Sequence, residues 1–277
     1  MLKWMVLGFT LVFWGLAFTA IKYAVYFISP ISIATLRFAI ADVLFAFSIL
    51  KGKRIYAKDL PSAFILGLFG VAVYHICLNV GEIYVSSGVA SLIIALAPVF
   101  VLFLSWMFLN ERINFWKIGG TLIAFFGVTL ISEPSYANMF GIALILVSAV
   151  AAAIYTTLGK KLMRKYDAVT LTSNAMVLGS IPLFLFLPFS FTDLLNSPTP
   201  ELVFSILFLG LFSTYFGYIG WYYFLAKEEA SKASVFLLAI PVVSLLAGYI
   251  MLGEALTLRT LAGSAAIIAG IYFVLRG

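Results

Sequence analysis

Apolar residues run in long unbroken blocks along this chain, and the polar positions gather between them. Charged and Pro/Gly/Ser-rich clusters cut the sequence into ten apolar runs, at residues 4–27, 31–50, 61–80, 89–109, 115–132, 139–158, 168–191, 202–226, 234–252 and 259–275. Each is near the roughly 20 residues that an α-helix needs to cross the hydrocarbon core of a bilayer. None alternates apolar and polar residues with a period of two, so the strands of a transmembrane barrel are not predicted. Backbone groups in lipid find partners only within their own helix. The pattern therefore predicts an all-α membrane protein with ten transmembrane helices. The first run follows only Met1, Leu2 and Lys3 and is too long for the apolar part of a cleaved signal sequence, which predicts a retained helix.

Composition agrees with this reading. The chain has 277 residues, 64% of them apolar and 10% charged, where soluble domains carry about half apolar and about a quarter charged residues. Little is left for a separate soluble domain. The net charge of +6 is scattered among loops and points to no nucleic acid. Its placement sets orientation instead. With ten crossings, the loops on one side hold Lys3, Lys51, Lys53, Arg54, Lys58, Arg112, Lys117, Lys160, Lys161, Arg164, Lys165, Lys227, Lys232 and Arg276. The other side has Lys22, Arg37 and Arg259, a split of fourteen to three. The positive-inside rule then predicts a multi-pass protein of the cell (plasma or inner) membrane with both termini cytoplasmic. Its expected partners are the lipid bilayer and a small-molecule substrate, the protein acting as a monomer or a homodimer.

The two halves resemble each other at a fixed offset. Adding 143 carries Gly67-Leu68-Phe69 onto Gly210-Leu211-Phe212, Pro98-Val99 onto Pro241-Val242, Glu111 onto Glu254, Gly120 onto Gly263 and Gly127 onto Gly270. An earlier stretch fits an offset of 138, taking Thr19 to Thr157 and Lys22 to Lys160. The repeats are residues 1–132 and 139–277, of five helices each. Five is odd, so the second copy enters the membrane upside down. Inverted repeats of this kind mark alternating-access carriers, with the substrate site near the midplane between halves.

On these residues the chain resembles the drug/metabolite transporter superfamily in its ten-helix EamA-type branch. The resemblance rests on Trp14-Gly15, Leu36-Arg37-Phe38 and the element Ala97-Pro98 … Leu109-Asn110-Glu111 … Gly120 … Gly127, which recurs as Pro241 … Gly253-Glu254 … Gly263 … Gly270. It implies a secondary transporter of small metabolites, often an exporter of amino acids or related compounds. The second half departs from the pattern, with Ala152-Ala153 where Trp14-Gly15 would map and Ala175 in place of Arg37. The first helix has no acid, so the glutamate-based proton coupling of the four-helix drug pumps does not carry over.

Candidate chemistry lies on a few helix faces. Tyr74, His75, Asn79 and Glu82 fall within about 140° of arc at ~100° per residue. On the matching helix Thr214, Tyr215, Tyr218, Trp221 and Tyr222 share a similar arc. These faces either line a central cavity or hydrogen-bond neighbouring helices. As substrate-binding candidates we take Tyr74, His75, Asn79, Tyr218 and Tyr222, with Trp14 and Tyr155 from the first and sixth helices. Pro98 and Pro241 fall inside apolar runs, where each predicts a kink serving as a hinge or as static packing. Lys22, Arg37 and Asp42 are the charges deepest in apolar sequence and need partners. A Lys22–Asp42 bridge with Arg37 snorkelling outward is one solution. Glu111 and Glu254, in matching hairpins, suit caps for the next helix.

Other chemistry finds no support. One cysteine, Cys77, excludes an intrachain disulfide or a multi-cysteine metal site, and one histidine makes no metal site. No cofactor is implied. Gly159-Lys160 is followed by Lys161 and Gly52-Lys53 by Arg54, so neither is a phosphate loop. An intramembrane enzyme lacks a G-x-S-x-G nucleophile motif. A channel-like facilitator is the other alternative, and paired prolines beside an aromatic cavity favour a carrier over it.

Overall fold

The computed structural model describes residues 1–84, 90, 93–131, 138–243, 246 and 257–277, the side chains of 18, 19, 22, 82 and 131 excepted. Helices dominate, as unbroken apolar runs dictate. They are α1 (Leu2–Ala24), α2 (Pro30–Leu50), α3 (Leu60–Gly67), α4 (Tyr74–Tyr84), α5 (Ala97–Leu109), α6 (Phe115–Ile131), α7 (Met139–Leu162), α8 (Ala168–Phe184), α9 (Leu187–Asn196), α10 (Pro200–Phe208), α11 (Gly217–Leu225), α12 (Ala230–Val235) and α13 (Leu258–Arg276). Among the described residues five helical stretches are long and apolar enough to cross a membrane, or six if α8 and α9 count as one bent span. The outer faces of the helices, long and short, carry exposed Phe, Leu, Ile and Trp side chains such as Phe47, Phe103, Trp106, Phe126, Phe204 and Ile268. Burying these against lipid is the only way to remove them from water.

Local chemistry explains the helix ends. Ser29, Asn138, Asp167, Thr199 and Thr257 each cap a helix by accepting a hydrogen bond from a backbone N–H of its first turn. Asn110 ends α5 in the left-handed conformation, with φ 58°, a role its short polar side chain tolerates. The seventh apolar run is not one straight helix. It bends by 75° between α8 and α9. Pro188, second residue of α9, lacks an N–H and its ring clashes with the carbonyl four residues back, Phe184, where α8 stops.

The prolines of the repeat also differ from expectation. Pro98 does not kink a continuous helix; it is the second residue of α5, after a turn at Ala95–Leu96. Pro241 follows a 3₁₀ turn, Phe236–Ala239, in the same way. Proline is tolerated in a first helical turn, where its missing N–H has no partner to lose. Both are therefore breaks within apolar runs.

Packing exchanges elements between halves. Segments α3 and α4 are joined by a π-helical turn, Leu68–Val73, and pack on α7. Segments α10 and α11 are joined by a π-helical turn, Leu209–Phe216, and pack on α1. Helix α2 packs on α8, and α6 on α13. Small residues set these distances. A Cβ at Gly120 would lie 2.6 Å from Gly270 O, and one at Gly127 would lie 2.6 Å from Gly263 O. These two contacts interchange under the 143-residue offset. Likewise Gly67 abuts Ala175 O and Gly210 abuts Arg37 O.

One end of the bundle is knitted by polar groups. The four ion pairs among the described residues are Lys3–Glu228, Lys53–Asp167, Lys117–Glu229 and Lys165–Asp59. Every one joins the first half to the second. Glu111 does not cap its own next helix. Its carboxylate accepts from the backbone N–H groups of Ala230 (2.6 Å) and Ser231 (3.0 Å), opening α12 in the other half. The hairpin turns its acid toward that neighbour because Asn114 caps α6 instead, accepting from Lys117 N at 2.9 Å. Glu254 lies outside the described residues.

Candidate functional site

The aromatic arcs of α4 and α11 meet in the middle of the bundle. Tyr218 is ringed by Trp14 of α1 at 5.5 Å and Tyr155 of α7 at 5.7 Å between ring centroids. Tyr222 stacks on Tyr155 at 4.9 Å, and Trp221 lies 5.8 Å from Trp14. His75 Nε2 is 3.1 Å from Tyr218 Oη, and the His75 ring lies 4.8 Å from Tyr74 and 5.0 Å from Phe38. Five of the seven candidates therefore form one cluster: Trp14, His75, Tyr155, Tyr218 and Tyr222. Tyr74 flanks it through His75. Asn79 turns elsewhere, donating from Nδ2 to Pro30 O at 3.0 Å. Tyr155, Tyr218, Tyr222 and His75 are buried, and Trp14 is half-buried.

The π-helical turns supply its polar frame. An i→i+5 turn is rare and frequently sits at functional sites. Trp14 Nε1 donates to Ser213 O at 2.9 Å, and Tyr218 Oη reaches Gly70 O at 3.4 Å. Ser213 and Gly70 are counterparts under the 143-residue offset, so both turns offer a carbonyl to an aromatic side chain. His75 and Tyr218 are themselves counterparts, and they bond to each other. So do Asp42 and Ser180, which are related by the offset of 138 and joined through Asp42 Oδ2 and Ser180 Oγ.

The deep charges are arranged differently from the expected scheme. Arg37 does not snorkel outward; it is 3% exposed, with Nε donating to Thr214 Oγ1 at 2.9 Å and Nη2 to Ser213 Oγ at 3.1 Å. These hydroxyls stand beside it because the π-helical turn Leu209–Phe216 packs on α2, which the repeat alone does not reveal. Asp42 finds Ser180, and its Oδ1 is buried with no hydrogen-bond partner among the described residues. The side chain of Lys22 lies outside the described residues, and the Lys22–Asp42 bridge with it. His75 Nδ1 and Tyr155 Oη are further buried atoms without a partner. Ser213, Thr214, Phe38 and Ser180 complete the site. Thr214 lies on the same arc as Tyr218, whereas Ser213 and Ser180 are legible only as counterparts of Gly70 and Asp42.

Such a site is equipped to bind. Rings offer faces to an apolar body, and the unpaired polar atoms offer direction. Among the described residues no group of three or more His, Cys, Asp or Glu side chains is placed to hold a metal ion.

Comparison with known proteins points to a membrane transporter. A solved crystal structure matches the fold with a TM-score of 0.79 at 16% identity, over 97% of this chain and 94% of that one. An uncharacterized transporter of Archaeoglobus fulgidus is 67% identical over 100% of this chain and 99% of its own length. The transporter YdfC of Bacillus subtilis is 34% identical over 94% of this chain and 86% of its own. A probable terminal-alkyne amino-acid exporter of Streptantibioticus cattleyicolor is 30% identical over 96% of this chain and 91% of its own. The model of the EamA-like transporter family matches residues 2–133 and again residues 139–276. With its apolar helices and full-length transporter relatives, this multi-pass membrane protein belongs to the EamA-like transporter family.

Proposed function

We propose that the protein is a secondary transporter that exports small metabolites such as amino acids by alternating access. In this reading ten helices cross the cell membrane as two inverted five-helix repeats, with both termini cytoplasmic. The observation that carries it is the bonding of repeat counterparts to one another, His75 to Tyr218 and Asp42 to Ser180. Residues that touch their own counterparts lie on a pseudo-two-fold axis, and a site on that axis serves both membrane faces. The paired π-helical turns and the exchanged glycine contacts support the same axis. Amino acids enter as a substrate class through the 30% identical exporter.

Trp14, Tyr74, His75, Asn79, Tyr155, Tyr218 and Tyr222 then line the path of the substrate. The cross-half ion pairs close the positively charged, cytoplasmic end, and they must part when that end opens. Of the four, Lys53–Asp167 is exposed on both sides and parts most readily, whereas Lys117 is buried beneath Glu229. The breaks before Pro98 and Pro241 lie at the same place in each repeat and serve as matched hinges.

Counterflow in proteoliposomes tests this reading. Purified protein is expected to exchange external labelled amino acids against an internal pool, at rates typical of carriers. Absence of exchange for every amino acid and related metabolite would overturn it, and ionic currents far above carrier turnover would identify a channel.

A further inference from the structure

Arg37 is a buried cation, and none of the ion pairs among the described residues includes it. A guanidinium carries five N–H donors in a planar fork, accepts nothing and stays charged. Two of these donors are used here. Nε–H reaches Thr214 Oγ1 and one Nη2–H reaches Ser213 Oγ, so the side edge of the group is held. The other Nη2–H and the two on Nη1 have no partner among the described residues. Neutral hydroxyls do not balance a buried charge, and ionisable groups kept inside a membrane pair with something or mark a substrate path.

The anchors are themselves fixed. Thr214 Oγ1 donates to Leu209 O at 2.8 Å within the π-helical turn, and Trp14 holds Ser213 O. The guanidinium is therefore set in place while its end-on fork stays unused. A second unpaired group lies close by. Phe38 carries Arg37 Cζ 5.7 Å from its ring centroid and the His75 ring at 5.0 Å, and His75 Nδ1 is buried without a partner. Two parallel N–H donors match the two oxygens of a carboxylate.

We propose that Arg37 binds the carboxylate of the transported molecule, so that the substrate class is a small carboxylate-bearing metabolite. This rests on the transporter reading above and narrows its substrate. The end-on fork takes the two carboxylate oxygens, and the rings of Trp14, Tyr155 and Tyr218 take the apolar body. Among the described residues the site holds one such group, since Ala175 occupies the matching place in the other half, against Gly67 as Arg37 stands against Gly210. A single cation balances a carboxylate, whereas a phosphate monoester carries nearly two negative charges and needs a second cation.

The test compares amino acids and aryl or alkyl carboxylic acids with their primary amides, and with phosphate monoesters of similar size. Binding is read by thermal stabilisation of purified protein, and transport separately by counterflow. Acids are expected to bind at least about tenfold more tightly than their amides and than the monoesters, a charge-assisted hydrogen-bond pair setting the scale. Arg37→Gln should lower acid affinity to that of the amides and leave amide affinity unchanged, with partial recovery in Arg37→Lys. Should Arg37→Gln not fold, Thr214→Val, which frees one anchor but keeps the charge, should weaken acid binding and spare amide binding. Equal binding of acids and amides, or an acid preference that survives in Arg37→Gln, would overturn the assignment. Tighter binding of monoesters would replace carboxylate with phosphate. Exchange of neutral or cationic compounds without any acid would leave the transporter standing and remove Arg37 from its site.

Discussion

Tyr218 joins the two halves through one hydroxyl, to His75 at 3.1 Å and toward Gly70 O at 3.4 Å. Tyr218→Phe removes both contacts and leaves a buried imidazole with neither nitrogen bonded, since Nδ1 already lacks a partner. The expected cost is about 1 kcal/mol of stability, read as a lower melting temperature in detergent, together with weaker substrate binding. An unchanged melting temperature would mean that His75 finds another partner. That His75 and Tyr218 hold matching places on polar arcs is legible from helical periodicity and the 143-residue offset. That they meet is not, because the offset relates two positions without saying that they touch. Arg37 shows the same limit. Its depth in an apolar run marks it as costly, but its partners lie about 176 residues away in sequence and depend on how α2 packs.

Helix pairs give a sharper contrast between neighbouring residues. Gly119 and Gly120 are adjacent on α6, yet a Cβ at Gly119 meets nothing within 4 Å while one at Gly120 would meet Gly270 O at 2.6 Å. Gly120→Ala must therefore push α6 away from α13, where backbone cannot yield as a side-chain tip can. It is expected to destabilise by about 1–3 kcal/mol, as overpacking does, whereas Gly119→Ala should stay within about 0.5 kcal/mol of the parent. Equal melting temperatures for the two variants would show that the helices are not packed this closely. Sequence marks Gly120 through its repeat partner Gly263 and leaves Gly119 unmatched. The π-helical turns carry no such mark. Their extra residue per turn is paid for by side chains from other elements, Trp14 and Tyr218, so it appears only once those elements are in place.

At the scale of the molecule the end that carries every ion pair among the described residues is the element of interest. Cys77 is the sole cysteine, so Cys77→Ser provides a background for engineered thiols. Cysteines at positions 53 and 167, whose native side chains meet at 3.1 Å, should be bridged by a short bifunctional thiol reagent. Transport is expected to stop on bridging and return when the bridge is cleaved. Undiminished transport in fully bridged protein would show that this end does not open. In the same background a cysteine at position 56 should react with impermeant reagents only from the cytoplasmic face. Labelling from outside intact cells would reverse the topology drawn from the fourteen-to-three distribution of Lys and Arg.

The sequence by itself determined the membrane environment and the helical class, because lipid imposes a length and an apolarity on every span, and its matched Pro, Glu and Gly positions motivate the proposed repeat. It also placed Tyr74 and His75 on one arc, and Tyr218 and Tyr222 on another, and the structure brings His75 and Tyr218 together. Only the tertiary structure decided the rest. The bend at Leu185–Phe186, the inward turn of Arg37, the reach of Glu111 to the other half and the π-helical turns all depend on contacts between distant segments. Helical periodicity reports which face of a helix is polar. Which partner satisfies that face is fixed when the helices pack, because the partner's own backbone and hydroxyl groups are then the only ones within reach.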